Sequence, residues 1–368
     1  MAIFTDVFED VTKQGRKIPT SDYHETGAHP IIDQGQSAIA GYTDETDGLF
    51  TDVPAIIFGD HTRVLKYVDT PCFLGADGVK LLKTKIANPN YKYLYYVLSS
   101  ANIPNTGYNR HFKWLKEVNI PLPNVDEQQK IVDTLDKIGE LITLRKEQLA
   151  KLDELVKSRF IELFGDPEHN EKAIPILPMT ELCEIIDGDR GANYPKQEEF
   201  SDNGFCLFLN AKNVTANGFS FENCMFITAV KDKLLRKGKL SRGDVVLTTR
   251  GTIGNLAFYD GAVPYEHIRI NSGMVILRMK RERITERFFI EQFKMQLASI
   301  KEKIASGSAQ PQLPISTMNK IVMLVPDVEL QHQFASFVEQ IDKSKLAIQQ
   351  SLDKLELLKK SLMQKYFG

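Results

Sequence analysis

The sequence predicts a mixed α/β (α+β) chain. Two tandem bodies of short strands and helices are joined by two long helices, which pair as an antiparallel coiled coil in a circular, pseudo-two-fold arrangement. Three observations lead to this. First, between 126 and 163 the residues Ile131, Leu135, Ile138, Ile142, Leu149, Leu152, Val156 and Leu163 fall on alternating steps of four and three, with Arg145 and Arg159 at the remaining seam positions. That is the a/d pattern of a long helix packed on another helix, about 57 Å long at 1.5 Å per residue. Second, the stretch recurs without a gap 203 residues later: Pro123 as Pro326, Gln128 as Gln331, Ile138 as Ile341, Leu149 as Leu352, Leu152 as Leu355 and Phe164-Gly165 as Phe367-Gly368. Arg145 aligns with Ile348 and Ile142 with Lys345, so the polar seam positions differ between copies. Third, the segments before the helices share collinear anchors: 27–33 with 204–210, 59–62 with 251–254, 78–83 with 273–278, and Thr106-Gly107 with Ser306-Gly307. The offset climbs along the series, as unequal loop insertions in a duplicated unit would produce.

In chain order the expected pieces are a first body (1–122), a long helix (123–165), a second body (166–322) and a second long helix (323–368). In the first body the apolar runs 29–32, 54–58 and 78–82 read as strands bounded by Gly, Asp and Pro. Residues 91–101 read as a helix with an aromatic face, and 120–123 as extended because residues before proline avoid the α region. In the second body strands are expected at 206–209, 245–248, 255–259 and 274–278, and a helix at 286–304. The second body lies between the helix ends, so an antiparallel return places Gly368 near Met1.

A hydrophobic fraction of 42% excludes global disorder. A net charge of −2 argues against a uniformly cationic surface without excluding local patches. Cys72, Cys183, Cys206 and Cys224 have no CxxC spacing and read as free thiols. No apolar run approaches the roughly 20 residues that span a bilayer, and the expected location is cytoplasmic, away from membranes.

Catalytic signatures are missing: there is no Walker loop, GxGxxG, HExxH or GxSxG. Asn88-Pro89-Asn90-Tyr91 departs from the Asn-Pro-Pro-Tyr motif of adenine methyltransferases and reads as a turn. No metal site is expected. Nucleic-acid binding has more support. Between 231 and 250 the chain carries Lys231, Lys233, Arg236, Lys237, Lys239, Arg242 and Arg250 against Asp232 and Asp244, a density that can neutralise several phosphates. Side chains able to make bidentate contacts with bases cluster in loops. In the second body the candidates are Arg190, Asn193, Tyr194, Lys196, Asn210, Lys212, Asn213, Arg250, Thr252, Gln310 and Gln312; in the first they are Arg16, Lys17, Gln34, Gln36, His61, Arg63, Tyr108, Arg110 and His111. The competing reading is a coiled-coil scaffold with two ligand-binding lobes and no nucleic acid.

With these features in place, the chain resembles the specificity subunit of Type I restriction-modification systems. The resemblance is carried by Leu122-Pro123 and 126–131 opening the first helix, Val325-Pro326 and 329–331 opening the second, and the segments 59–63, 249–255 and 306–311. The second opening departs at Leu330 and His332, where the first has Glu127 and Gln129. The resemblance implies two variable target-recognition domains, each reading half of a bipartite double-stranded DNA target, and no catalysis by the chain itself. It further implies that the helices set the spacing and dock two methyltransferase subunits. S-adenosylmethionine and ATP would reside on the methyltransferase and restriction partners.

Overall fold

The computed structural model describes residues 1–75, 78–107, 109–305 and 312–368, without the side chains of 303–305. It divides into two compact units: residues 1–147 with 349–368, and residues 148–348.

The first unit opens with β1 (Ala2–Ile3), α1 (Phe4–Val7) and β2 (Phe8–Asp10), followed by β3 (His29–Ile32), β4 (Gly41–Thr43), β5 (Ala55–Gly59), β6 (Leu65–Val68), β7 (Phe73–Leu74) and β8 (Val79–Thr84). Then come α2 (Tyr91–Ser100), α3 (Phe112–Leu115), β9 (Asn119–Ile120) and the start of α4 (Val125–Phe164). One sheet has the order β2-β8-β5-β6 and is antiparallel throughout; a smaller one, β4-β3-β7, pairs β3 and β7 in parallel. Strand β5 is buried along its whole length, as its unbroken apolar run requires.

The second unit repeats this plan with insertions. It comprises β10 (Ile176–Pro178), α5 (Met179–Leu182), β11 (Cys183–Asp187), β12 (Cys206–Leu209), β13 (Val214–Thr215), β14 (Gly218–Phe219), β15 (Phe226–Ile227), α6 (Ala229–Leu234), β16 (Val245–Thr248), β17 (Leu256–Phe258), β18 (Ile268–Ile270) and β19 (Met274–Met279). It continues with α7 (Glu286–Ala305), α8 (Ile315–Met318), β20 (Val322–Leu324) and the start of α9 (Val328–Phe367). Its sheets, β11-β19-β16-β17 and β15-β12-β18, match those of the first unit strand for strand, including the parallel pair β12 and β18. The anchors 27–33 with 204–210 and 78–83 with 273–278 therefore fall on corresponding strands, β3 with β12 and β8 with β19, and 59–62 with 251–254 in corresponding turns, while 306–307 lies outside the described residues.

The two compact units are drawn differently from the expected four pieces. The unit boundaries fall inside the helices, because each half-helix is part of a core. Ile131, Val132 and Leu135 of α4 pack with α2 and β5, and Leu362, Met363, Tyr366 and Phe367 of α9 pack on the same cluster as Ala2. In the second unit Val156, Phe160 and Phe164 share a core with Phe334, Val338 and Ile341. Each unit thus contains an antiparallel helix pair. In the first, Lys146 pairs with Glu356 at 3.0 Å while the Lys359 ammonium lies over Gly139. In the second, Asp153 pairs with Lys345 and Phe160 meets Phe334. Of the seam residues, Leu135, Ile138, Ile341 and Leu352 are buried, and Ile142, Leu149, Leu152, Ile348 and Leu355 are half-buried.

Both long helices start on side-chain caps, which satisfy amides left open in a first turn. Asn124 Oδ1 accepts from Glu127 N at 2.9 Å, and Asp327 Oδ1 accepts from Glu329 N at 2.8 Å. The Leu330 and His332 departures therefore leave α9 capped. Asn90 caps α2 by accepting from Tyr93 N and also donates to Gln129 of α4, so the 88–91 turn is an anchor between helices.

Candidate nucleic-acid interface

In the first unit the loops after β3, β5 and β7 and the segment before α3 converge on Asp60, which is 3% exposed. Its amide donates to the Gly78 carbonyl at 2.6 Å, and its own carbonyl accepts from His111 N at 2.7 Å and lies 3.0 Å from His111 Nδ1. Asp60 Oδ1 accepts from Phe112 N at 2.7 Å. Gln34 joins from the β3 side: its Oε1 accepts from His61 N at 3.2 Å, and its carbonyl accepts from Thr62 Oγ1 at 2.6 Å. Gly78 has φ +88°, and a Cβ there would lie within 2.8 Å of the Gln34 amide, so only glycine fits.

The second unit builds the same cluster. Thr249 N and Oγ1 donate to the Gly273 carbonyl at 2.8 and 3.0 Å, and Leu313 N donates to the Thr249 carbonyl at 2.9 Å. Arg250 pairs through its backbone with Gln312. Arg190 Nη2 reaches the Ser272 carbonyl at 3.3 Å and Asp187 Oδ1 at 3.2 Å. Arg190, Arg250 and Gln312 thereby line one cleft of about 290 Å³ together with Asp187. Arg250, Thr252 and Gln312 are exposed, and their side chains carry donors suited to an acceptor surface.

Several other candidates turn inward. His111 is fully buried and acts as a strut to Asp60, with its ring 5.3 Å from that of Trp114, so it has no path to a base. Asn213 is 1% exposed; its Nδ2 donates to the Ser220 and Asn223 carbonyls and its Oδ1 accepts from Asn210 N. Asn210 Oδ1 caps Lys212 N. Tyr194 packs edge-on against Phe208. Arg63 sits at φ +64° closing the β5–β6 turn and donates to the Ile103 carbonyl at 3.2 Å. Arg16 is held by Glu45 at 3.0 Å, and Asn193 donates to the Leu234 carbonyl at 3.3 Å. Lys17 bridges Leu74 through its backbone. Arg16, Lys17 and Asn193 remain exposed despite these contacts, as are Gln36, Arg110, Lys196 and Lys212, whereas Tyr108 and Gln310, with the rest of 306–311, lie outside the described residues.

The basic run is also partly structural. Lys231 pairs with Glu199 at 2.7 Å, and Arg242 lies over the Tyr259 ring at 4.1 Å. Lys239 joins Arg269 on Asp232, which is 3% exposed. Burial pushes the Asp232 carboxyl up, but hydrogen bonds from Lys239 and Arg269 hold it below its ordinary value. Asp60, Asp189 and Asp232 are not among the base-contact candidates, yet each holds a loop in place. Asp189 ties two loops by accepting from Gly191 N at 2.7 Å and Arg236 N at 2.7 Å. For Asp60 and Asp189 the sequence carries a signal, an aspartate directly after glycine, a common backbone-turn acceptor; Asp232, between Lys231 and Lys233, has none of this kind.

A family model described as Type I restriction modification DNA specificity domain matches residues 4–154 and 176–358. The specificity subunit of an Escherichia coli Type I restriction enzyme is 30% identical over 151 residues, covering 36% of this chain and 37% of the relative. Two Methanocaldococcus jannaschii Type I restriction enzyme specificity subunits are 24% and 27% identical, each over 68% of this chain and covering 60% and 61% of the relative. The matches therefore span less than two thirds of these relatives' own lengths. The fold is similar to the crystal structure of the Type I restriction-modification S subunit from M. genitalium, with a TM-score of 0.59 at 20% identity over 100% of this chain and 95% of that one. A chain from a structural study of complex assembly and conformational transition of the type I R-M system gives 0.53 at 16% identity, over 99% and 95%. With the family model covering most of both units, the chain belongs to the Type I restriction modification DNA specificity domain family.

Proposed function

We propose that the chain is the DNA-recognition component of a Type I restriction-modification complex. Each unit offers its loop cluster to one half of a bipartite duplex target. The long helices keep the spacing and dock methyltransferase subunits, which bring S-adenosylmethionine; restriction subunits using ATP join the same cytoplasmic assembly. Chemistry on DNA belongs to those partners, and this chain selects the site.

The observation that supports this reading most is the repeated cluster itself. The same turn-to-glycine hydrogen bond, to Gly78 in one unit and to Gly273 in the other, holds a platform carrying exposed polar side chains. Arg250 and Gln312 on the second platform have the planar donor geometry suited to guanine and adenine edges. A lobe built for a small ligand would not need an exposed arginine and glutamine side by side on an open cleft.

The test is methylome sequencing of cells carrying the chain with its methyltransferase partner. A bipartite motif is expected, and Arg250→Ala should weaken binding to that motif by about 1–3 kcal/mol, with relaxed choice at one base. Equal weakening of all sequences would assign Arg250 to phosphate. A chain that binds no DNA with its partners would favour the scaffold reading.

A further inference from the structure

The two units invert their charges at one corresponding place. In the first unit Arg16, on the loop after β2, donates to Glu45 Oε2 at 3.0 Å and to the Asp47 carbonyl at 3.1 Å. The segment between β4 and β5 carries Asp44, Glu45, Asp47 and Asp52, and neither lysine nor arginine. In the second unit the acid is on the first loop. Asp189, after β11, accepts from the backbone amides of Arg236 and Lys237 at 2.7 and 3.4 Å. The cations lie on the segment between β15 and β16, the topological counterpart of the acidic segment.

Of the six cations there, Lys231, Lys239 and Arg242 are engaged with Glu199, Asp232 and Tyr259. Lys233, Arg236 and Lys237 are exposed, Arg236 with its guanidinium beside the Asp189 carboxylate, which offsets part of its charge. They are also connected to the cleft described above. The Asp189 loop that binds the Arg236 and Lys237 amides carries Arg190, whose guanidinium reaches the Ser272 carbonyl next to Gly273. Asn193 on the same loop donates to the Leu234 carbonyl. The segment carrying Lys233, Arg236 and Lys237 is thus tied by hydrogen bonds to the loop that supplies Arg190 to the cleft.

Resting on the DNA reading above, we propose that Lys233, Arg236 and Lys237 form a phosphate-holding strip that extends the cleft, so that the second unit carries the sequence-independent grip on the duplex. The first unit has carboxylates at the corresponding place and cannot supply such a grip there. The strip holds DNA through charge and the cleft selects bases, which separates two properties by residue.

The experiment uses the full chain assembled with its methyltransferase partner and a fluorescein-labelled duplex of roughly 30 base pairs lacking the target, followed by anisotropy between about 50 and about 200 mM KCl. Each phosphate contact contributes about 0.9 to the slope of log affinity against log salt. The triple variant Lys233→Gln, Arg236→Gln, Lys237→Gln is expected to lower that slope by about 2.7 and weaken non-target binding tenfold or more, with the methylated motif unchanged. A charge-keeping variant, Lys233→Arg, Arg236→Lys, Lys237→Arg, should retain the wild-type slope, which separates loss of charge from damage to the fold. A wild-type slope in the glutamine variant, with target methylation intact, overturns the strip and leaves the recognition reading standing. A changed motif overturns it by assigning base contacts to these residues. A wild-type complex that binds no duplex overturns the recognition reading itself.

Discussion

Gln331 makes in the second unit the hydrogen bond that Gln128 makes in the first: each side-chain Nε2 donates to the carbonyl of the proline five residues earlier, Pro326 at 2.9 Å and Pro123 at 2.8 Å. The bond fixes the angle at which each extended lead-in enters its helix. Gln331 does more. Its Nε2 also donates to the Arg283 carbonyl at 2.9 Å, and its Oε1 accepts from Thr285 N at 2.8 Å, just before α7. It is fully buried, while Gln128 is 9% exposed.

Gln331→Ala should therefore destabilise the protein by about 1–3 kcal/mol, because buried backbone groups lose their partners, and more than Gln128→Ala does. Urea denaturation of the two variants measures the difference. Equal losses would mean that the contacts to Arg283 and Thr285 contribute little.

Phe334 is fully buried, with its ring centroid 5.5 Å from Phe160, 5.6 Å from Phe164 and 6.3 Å from Phe288. Truncating such a ring costs about 3–5 kcal/mol. Phe334→Ala should fall in that range, and Leu149→Ala, at a half-buried seam position, well below it. Phe334 stands at the seam position of Ile131, so thermal melts of both variants decide whether the aromatic end of the seam contributes more than its middle. Comparable losses would mean that the two stretches of the seam contribute alike.

That contrast also marks what the sequence revealed. The 203-residue repeat predicted two helices of equal length, and α4 and α9 each have 40 residues. The strands 206–209 and 245–248 were legible because β5-like apolar runs have one reading when bounded by turn residues. The partition of the helices between units was not legible, since a heptad pattern does not say which body covers each end. The burial of His111 and Asn213 is hidden in the sequence for a related reason. Polar residues in glycine-rich loops look alike whether they face solvent or hold the loop together, and only burial separates them. Tertiary pairing, Lys231 with Glu199 for example, likewise reduced the basic run to a smaller exposed set.

The Asp232 site gives a pH prediction. Burial raises its carboxyl pKa, and the hydrogen bonds from Lys239 and Arg269 outweigh this, so the folded value lies below the ordinary 3.8. A depressed pKa means that folding favours the carboxylate. The stabilisation is fully present above the unfolded value and is lost as pH falls through the lower folded one. Asp232→Asn also leaves Arg269, 5% exposed, without its counter-charge, and removing one partner of such a buried pair costs about 3–5 kcal/mol. Near neutral pH the variant should be the less stable protein, and the gap should narrow below about pH 4. Denaturation across that range checks this; a gap that stays constant would show that protonation of Asp232 is not linked to folding.

The helices supply the last prediction. Their matched lengths contrast with recognition bodies whose loops have changed in length, as expected if helix length is what the proposed assembly depends on. Glu147 marks the unit boundary within α4, and no base-facing candidate lies near it in sequence. Inserting four residues there adds about one turn, lengthening the helix by roughly 6 Å. Successive base pairs of duplex DNA are about 3.4 Å apart, so the full extension approaches two pairs. The antiparallel α9 segment is unchanged and can resist the extension, or force part of the insert to loop out. A spacer longer by about one or two pairs is the expected result, with both half-site sequences kept. Mapping methylated sites for the insertion variant reads both properties at once. An active variant with altered half-site bases and the original spacer would mean that the helices do not set spacing, and that the loop clusters are not independent readers.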